Sequence, residues 1–351
     1  MKAERFMIYG ATGYTGKLIA RMAQEQGLLP VLVGRSVERL KAMAEPLGLE
    51  YRAVHLDDAD QLDITLHDVT VVLNAASPFS VTAFPLVDAC LRTGTHYLDI
   101  TGEIAVFEAL YRRDAEARSR TVMVLPGVGF VIVPSDCLAA HLTRRFPGAH
   151  SLQLGISRTD LISRGSFRTM SELLNEKVAI RREAEITSVP TGGLERSFDY
   201  GEGDRLSTAV SWADVFTAFL TTGIPNIEVY VEMNLIERGV YWVHNRFAAI
   251  LNTTPWQLIL KAQVELLPED PSDEERAGRK RVIVAEAKDR SGRRAISRLQ
   301  VPESYTFTAR SAVAIAKKVL QGEFKPGFQT PARVYGADFV RSLAGVVLED
   351  L

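Results

Sequence analysis

At 351 residues, with 46% hydrophobic and 24% charged side chains, the chain has the composition of an ordinary soluble protein and the length to bury two cores. Its 41 basic and 43 acidic residues are interleaved and leave a formal net charge of −2, which excludes the basic footprint of a nucleic-acid binder or of a protein held on an anionic membrane. Two cysteines, Cys90 and Cys137, are too few for a disulfide framework or a metal site, and their apolar, helix-like surroundings read as buried thiols of a reducing compartment.

In chain order, MKAERFMIYG enters a strand at once, without the apolar core and cleavage site of a secretory leader. No run approaches the ~20 apolar residues of a membrane span, so a cytoplasmic protein without an integral membrane segment is expected. Phe6–Tyr9, Val31–Val33, Tyr51–His55, Val69–Leu73, Tyr97–Leu98 and Thr121–Leu125 read as short strands, mostly apolar throughout rather than alternating. Between them lie the helix-period stretches Tyr14–Gln26, Val37–Leu47, Ala59–Leu66, Val81–Thr93 and Ile104–Ser119. Strands alternating with helices predict an α/β fold whose N-terminal part is a doubly wound parallel sheet of the Rossmann type, over residues 1–130.

The texture changes near Pro126. Ser151–Ser157 reads as a strand, Phe167–Arg182 as a helix, and Arg281–Lys288 with Arg294–Val301 as a hairpin around Asp289-Arg-Ser-Gly292, which predicts a second α+β domain with an antiparallel sheet over residues 131–325. The basic cluster Arg276–Arg281 runs directly into an apolar segment and reads as a strand entrance. Tyr241–Leu267 carries Trp242 and Trp256 in a broken helical rhythm around Pro255, and reads as core or a homodimer contact rather than a lipid-facing surface. Thr308–Gln321 and Gly336–Leu343 read as helices, and the segment 326–351 is expected to return to the first domain.

The strongest motif is Gly10-Ala11-Thr12-Gly13-Tyr14-Thr15-Gly16, directly after the first strand and opening the first helix. Gly10 permits the tight turn, Gly13 lets backbone approach a pyrophosphate, and Gly16 lets helix and strand pack closely. The amides of a helix start point at the anion, and Thr12 and Thr15 add hydroxyls. The spacing resembles short-chain and saccharopine-type dehydrogenases more than the lactate type.

At the end of the second strand, where an NAD site places an acid for the ribose 2′-OH, this chain has Gly34-Arg35-Ser36. A guanidinium there pairs with a 2′-phosphate and stacks on adenine, so NADP(H) is the expected cofactor. Asp57, after the third strand, can accept from the adenine amino group, or serve only as an exposed turn residue. Asn74-Ala75-Ala76 ends the fourth strand with small side chains that let a dinucleotide cross the sheet edge.

Three further motifs follow: Asn74-Ala-Ala-Ser-Pro-Phe79, Pro85-Leu-Val-Asp-Ala-Cys90 and Gly94-Thr-His-Tyr-Leu-Asp-Ile-Thr-Gly-Glu103. With these in view the chain resembles the saccharopine dehydrogenase-like oxidoreductases, and within them the branch called trans-acting enoyl reductase-like. The likeness extends through Gly127-Val-Gly-Phe130 and Val133-Pro-Ser-Asp136, recurs at Gly327-Phe-Gln-Thr-Pro-Ala332, and covers the middle of the chain poorly. The resemblance implies a Rossmann domain, a second α/β domain closing a cleft over the nicotinamide, NADP(H) use and frequently a homodimer. The chain departs from the pattern at Phe130-Val-Ile-Val133, where relatives usually carry a polar pair, and the substrate is left open.

Hydride transfer needs orientation, exclusion of water and a proton donor or electrostatic partner, rather than a rich catalytic constellation. None of the ten tyrosines has Lys four residues later, which argues against the short-chain Tyr-x-x-x-Lys pair. Asp99 and Glu103 flank the C-terminal end of the fifth strand, where open α/β sheets bind ligands, and are the first catalytic candidates, to orient a substrate amine or relay a proton. The alternative for Glu103 is a helix cap, and His96 reads equally as a strand residue. Ser77, before Pro78, is expected on the wall beside the nicotinamide. In Arg164-Gly-Ser-Phe-Arg-Thr169, Ser166 can cap a helix and Arg164 or Arg168 can hold a carboxylate or phosphate. No metal-ligand spacing and no G-x-S-x-G occurs. The resulting expectation is an NADP(H)-dependent reductase acting on a C=N or C=C bond of a small-molecule substrate in an interdomain cleft. The rivals are a non-catalytic NADP-binding sensor or partner protein of a synthase, and an interfacial lipid-handling protein.

Overall fold

Strands and helices alternate along the first 137 residues: β1 (Phe6–Tyr9), α1 (Tyr14–Glu25), β2 (Val31–Gly34), α2 (Val37–Leu47), β3 (Tyr51–Ala53), α3 (Ala59–Leu66), β4 (Val71–Asn74), α4 (Phe79–Thr93), β5 (His96–Asp99), α5 (Ile104–Tyr111), α6 (Asp114–Ser119), β6 (Met123–Leu125) and the start of α7 (Val133–Arg145). This computed structural model describes residues 5–158, 177–234 and 271–351. The six strands pair in parallel in the order β6-β5-β4-β1-β2-β3. Strands β1, β2, β4, β5 and β6 are buried along their whole length, which is why they lack alternation in sequence. Helix α1 buries Gly16, Ile19, Ala20 and Ala23, a stripe at helical spacing. Helix α4 stops at Gly94, whose φ of 72° is left-handed and readily available only to glycine.

One predicted helix, Ile104–Ser119, is two. The chain breaks at Arg112 and Arg113, and the Arg113 guanidinium bonds Asp88 Oδ1 at 2.6 Å and Glu116 Oε2 at 2.7 Å, so α6 starts on its own side-chain contacts.

The strand order runs outward in both directions from β1, so the switch point lies between β1 and β4. In register, Tyr9 lies opposite Asn74 and Asn74 opposite Asp99, a row of three polar-ended side chains at the carboxyl edge.

The chain divides into two units, residues 1–137 with 304–344, and residues 138–303 with 345–351. In the second, β7 (Ser151–Ile156), β8 (Val178–Arg182), β9 (Glu185–Val189), β10 (Glu195–Asp199), β11 (Asp204–Ala209), α8 (Asp214–Thr222), β12 (Asn226–Glu232), α9 (Asp273–Arg276), β13 (Lys280–Lys288) and β14 (Arg294–Pro302) build a sheet in the order β10-β11-β12-β7-β13-β14, with β8 and β9 off that path. The predicted hairpin is present: Asp289 Oδ1 accepts from Ser291 N at 2.9 Å and Arg293 N at 3.0 Å, shaping the turn between β13 and β14. The sheet is not wholly antiparallel as expected, because β12 and β7 run parallel. The predicted helix Phe167–Arg182 is corrected at its end: Val178–Arg182 is a strand, with Val178 and Ile180 turned into a core of Phe198, Tyr200, Ala209, Tyr230 and Val284. Residues 167–176 and Tyr241–Leu267 lie outside the described residues. Gly155 leaves room for that core, since a Cβ there would sit 2.6 Å from the Phe198 ring.

The chain then returns to the first unit as α10 (Ser304–Leu320), β15 (Gly327–Phe328) and α11 (Pro331–Tyr335). Strand β15 adds to β6 in parallel, and Asp136 Oδ2 accepts from Ala332 N at 2.8 Å, joining two motifs nearly 200 residues apart. The predicted tail helix at 336–343 is a 3₁₀ turn over Ala337–Ser342. Finally β16 (Val347–Asp350) pairs with β14 in the second unit. Among the described residues no helix is long and apolar enough to cross a membrane.

Candidate functional site

The glycine loop is stitched to the second strand: Gly10 N and Ala11 N both donate to Val33 O, at 2.8 and 3.2 Å, and Gly13 N donates to Gly10 O at 3.0 Å. Gly10 holds φ at +80°, and a Cβ on it would lie 2.8 Å from both the Cβ and the amide of Ala76. A Cβ on Gly16 would lie 2.3 Å from Gly10 O. Those two glycines are therefore internal fits, one against the Ala75-Ala76 turn and one between helix and loop. Gly13 is different: it is exposed, stands at the N-cap of α1, and among the described residues a Cβ there would meet Gly10 O alone, at 3.3 Å. The open side of Gly13 is the cradle that a pyrophosphate fits, at a helix end whose first amides have no carbonyl one turn back. Ala11 is fully buried, whereas Thr12, Tyr14 and Thr15 are half-buried around the cradle. Tyr14 packs edge-on against Tyr305 of α10, ring centroids 5.0 Å apart.

At the end of β2, Gly34 is buried and Arg35 exposed, with no ion pair among the described residues. Ser36 caps α2: its Oγ accepts from Arg39 N at 3.3 Å and donates to Glu38 Oε2 at 2.9 Å. Asp57 is exposed in an open depression of about 570 Å³ lined by His55 and residues 57–60, while its neighbour Asp58 caps α3 through Gln61 N. The Tyr9 phenol is raised above its ordinary range by burial, with Arg35 pulling it down and Asp57 pushing it up, so the ends of β1, β2 and β3 share one electrostatic neighbourhood.

The third group lies at the ends of β4, β5 and β6. Asn74, fully buried, accepts from Ala76 N at 3.0 Å and donates to Thr82 Oγ1 at 2.9 Å and Tyr97 Oη at 3.2 Å. Tyr97 donates to Asp99 Oδ2 at 2.9 Å, and Asp99 Oδ1 accepts from Thr101 N and Gly127 N, both at 2.9 Å. Burial pushes the Asp99 carboxyl up to about 7, against the pull of those two amides and the Tyr97 hydroxyl. Glu103 reaches back across the sheet edge: its two oxygens accept from Phe79 N at 2.9 Å and Ser80 N at 3.0 Å, so it caps α4, not the helix it precedes. Ser77, exposed, precedes a cis peptide to Pro78 and the start of α4. His96 is a strand residue whose Nδ1 accepts from Met123 N at 3.0 Å.

The fold thus brings Gly10–Thr15, Gly34–Ser36, Asp57, Ala75–Ser77, Asp99 and Glu103 to one carboxyl edge of one sheet. Arg164, Ser166 and Arg168 lie outside the described residues. Sequence reasoning missed Asn74 and Tyr97 as polar links and Thr82 as their anchor. The register of β4 against β5 is what joins them, and no short motif encodes it.

Residues 6–125 match the family model described as the saccharopine dehydrogenase NADP binding domain. Over those residues, about a third of the chain, the sequence is similar to that NADP-binding domain. The resemblance read from the motifs between Asn74 and Glu103 accordingly holds, and a nicotinamide dinucleotide is the cofactor of the domain. Among curated proteins, the trans-acting enoyl reductase of Mycobacterium tuberculosis (strain H37Rv) is 32% identical over 191 residues, covering 48% of this chain and 44% of that protein. The trans-acting enoyl reductase of Mycobacterium leprae is 36% identical over 149 residues, 40% of this chain and 35% of the relative. The match therefore spans less than half the length of these relatives. Among solved structures, apo saccharopine dehydrogenase (L-Glu forming) from Saccharomyces cerevisiae superposes with a TM-score of 0.66 at 12% identity, covering 99% of this chain and all of that one. Homospermidine synthase from Legionella pneumophila gives a TM-score of 0.63 at 11% identity, covering 98% and 91%. Both likenesses show the fold alone: a unit with a parallel sheet and a second unit with a mixed sheet.

Proposed function

We propose that the chain is an NADP(H)-dependent oxidoreductase, a reductase that delivers hydride to a C=N or C=C bond of a small organic substrate. The observation that carries the reading is the open side of Gly13 at the start of α1, with Arg35 exposed and in no ion pair among the described residues at the end of the neighbouring strand. When bound, the dinucleotide supplies the hydride. Residues Gly10, Ala11, Thr12, Gly13, Tyr14 and Thr15 seat its pyrophosphate, and Ala75 and Ala76 leave room for the chain of the ligand to cross the edge. Arg35 and Ser36 take a 2′-phosphate, and Asp57 takes the adenine amino group.

At the reacting end the protein's own groups divide the work. Ser77 presents an exposed hydroxyl beside the edge, able to hydrogen-bond a substrate oxygen or nitrogen. Asp99 holds the loop starting at Gly127, and Glu103 holds the start of α4, so both acids act by positioning: each of their carboxylate oxygens already accepts a hydrogen bond. The C=C alternative is supported by the enoyl reductase relatives and the C=N alternative by the saccharopine-type resemblance.

The experiment is a fluorescence titration of NADPH and NADH into the purified protein beside Arg35→Ala. A guanidinium–phosphate pair is worth about 1.5–3 kcal/mol, so the variant should lose NADPH affinity by a factor of ten or more and leave NADH nearly unchanged. A wild-type protein that binds neither sinks the oxidoreductase reading. Tight NADPH binding without oxidation across enoyl thioesters and imines would instead favour a non-catalytic cofactor-binding partner protein.

A further inference from the structure

Helix α10 supplies three side chains that touch the cofactor edge from behind. Thr308 Oγ1 accepts from Phe130 N at 3.0 Å and donates to Ser304 O at 2.8 Å, so both roles of its hydroxyl are taken. One turn on, Ser311 Oγ donates to Val128 O at 2.7 Å. From the opposite side the same loop is tied to β5, with Val128 N donating to Asp99 O at 2.7 Å and Gly127 N to Asp99 Oδ1 at 2.9 Å. Gly129 stands in the middle with no room for a side chain, since a Cβ would lie 2.9 Å from the Thr308 methyl. The backbone of 127–130 is therefore clamped between a strand end and a helix.

The same helix also reaches the phosphate loop. Tyr305, three residues before Thr308 and hence on the same face, is the residue that meets Tyr14 at the first turn of α1. One rigid element thus touches both the helix that seats the pyrophosphate and the loop after β6, where a Rossmann sheet places the nicotinamide end of its ligand. The distance between those two seats is set by the pitch of α10.

We propose that Thr308 is a positioning residue for the nicotinamide end of the cofactor site, acting through the Phe130 amide, with Ser311 supporting the same loop. This inference rests on the cofactor reading above. It assigns Thr308 no contact with the ligand. The hydroxyl keeps the 127–130 loop at the height at which the ring is held, while the adenosine end is seated independently by α1 and β2.

The test separates the two ends of the ligand. NADPH reports both, through the emission and anisotropy of the bound nicotinamide, and 2′,5′-ADP reports the adenosine end alone. In Thr308→Val, which keeps the shape and deletes the hydroxyl, the affinity for NADPH should fall roughly fivefold with weaker bound-state emission. Affinity for 2′,5′-ADP should stay within about twofold, and Thr308→Ser should restore NADPH binding. Amide exchange of 127–131 in the free protein should quicken in the Val variant and recover in the Ser variant. Ser311→Ala provides the same contrast through Val128 should Thr308→Val fail to fold. Equal NADPH affinity in wild type and Thr308→Val, or a parallel fall for 2′,5′-ADP, overturns the inference and leaves the cofactor reading standing. A wild type that binds neither probe overturns both.

Discussion

Alanine at Gly13 and alanine at Gly16 should give opposite phenotypes although the residues sit three apart in one motif. At Gly16 the new Cβ would lie 2.3 Å from Gly10 O and 2.9 Å from Ala11 Cα. Both are backbone positions that cannot swing aside, so loop and helix must part by about 0.7 Å or more. Overpacking of this kind costs about 1–3 kcal/mol, and the backbone clash puts it at the upper end. Replacing a helical glycine by alanine returns about 1 kcal/mol. The net loss is about 2 kcal/mol, a fall in Tm of roughly 4–8 °C. At Gly13 the close atom among the described residues is Gly10 O at 3.3 Å, and φ is −73°, a value alanine adopts freely. The weaker N-cap costs some tenths of a kcal/mol and the stiffer unfolded chain returns a similar amount, so Tm should move by less than about 2 °C. The methyl nevertheless points into the proposed pyrophosphate seat, and NADPH affinity should fall by at least about tenfold. Differential scanning fluorimetry and an NADPH titration on both variants decide the matter. A Gly13→Ala protein with wild-type affinity would show that no pyrophosphate lies over Gly13. A Gly16→Ala protein with wild-type Tm would refute the packing argument.

Two further outcomes follow from the acids at the edge. Burial pushes the folded Asp99 carboxyl up to about 7, above its ordinary value of 3.8, so its contribution to stability is complete below about pH 4 and is lost as pH rises through 7. At about 1.4 kcal/mol per unit, wild type should lose on the order of 2–3 kcal/mol between pH 5 and pH 7 that the isosteric Asp99→Asn, which mimics the protonated acid, does not lose. Urea midpoints at the two pH values measure this, and parallel curves for the two proteins would remove the argument. Glu103→Ala uncaps two first-turn amides of α4 and should cost about 0.5–2 kcal/mol, seen as a Tm lowered by roughly 2–6 °C. An unchanged Tm would mean that water replaces the carboxylate at no cost.

Much of the first unit was legible because its signals are local. Buried parallel strands write themselves as short apolar runs, the helices between them as apolar periods, and the loop from Gly10 to Gly16 fits its strand and helix within seven residues. What escaped was set by partners far along the chain. From their place at the end of β5, Asp99 and Glu103 read as catalytic groups. Yet Glu103 meets an amide 24 residues away, and Asp99 one 28 residues away, and neither distance has a sequence signature. Thr308 finds Phe130 across 178 residues. In the second unit the five residues Val178–Arg182 are too few for period 2 to be told from period 3.6, and the parallel pairing of β7 with β12 depends on the whole sheet.

The order of assembly is the last consequence of the returning segment. A ribosome releases the first 137 residues well before it makes Ser304, and in that interval Tyr14 has no Tyr305, Val128 has no Ser311 and β6 is an open edge. Residues 138–303 of the second unit must emerge before the nucleotide half can close. A fragment cut to the family boundary at residue 125 is for the same reason a different object from the domain it names, because it lacks the helix and strand that finish its sheet.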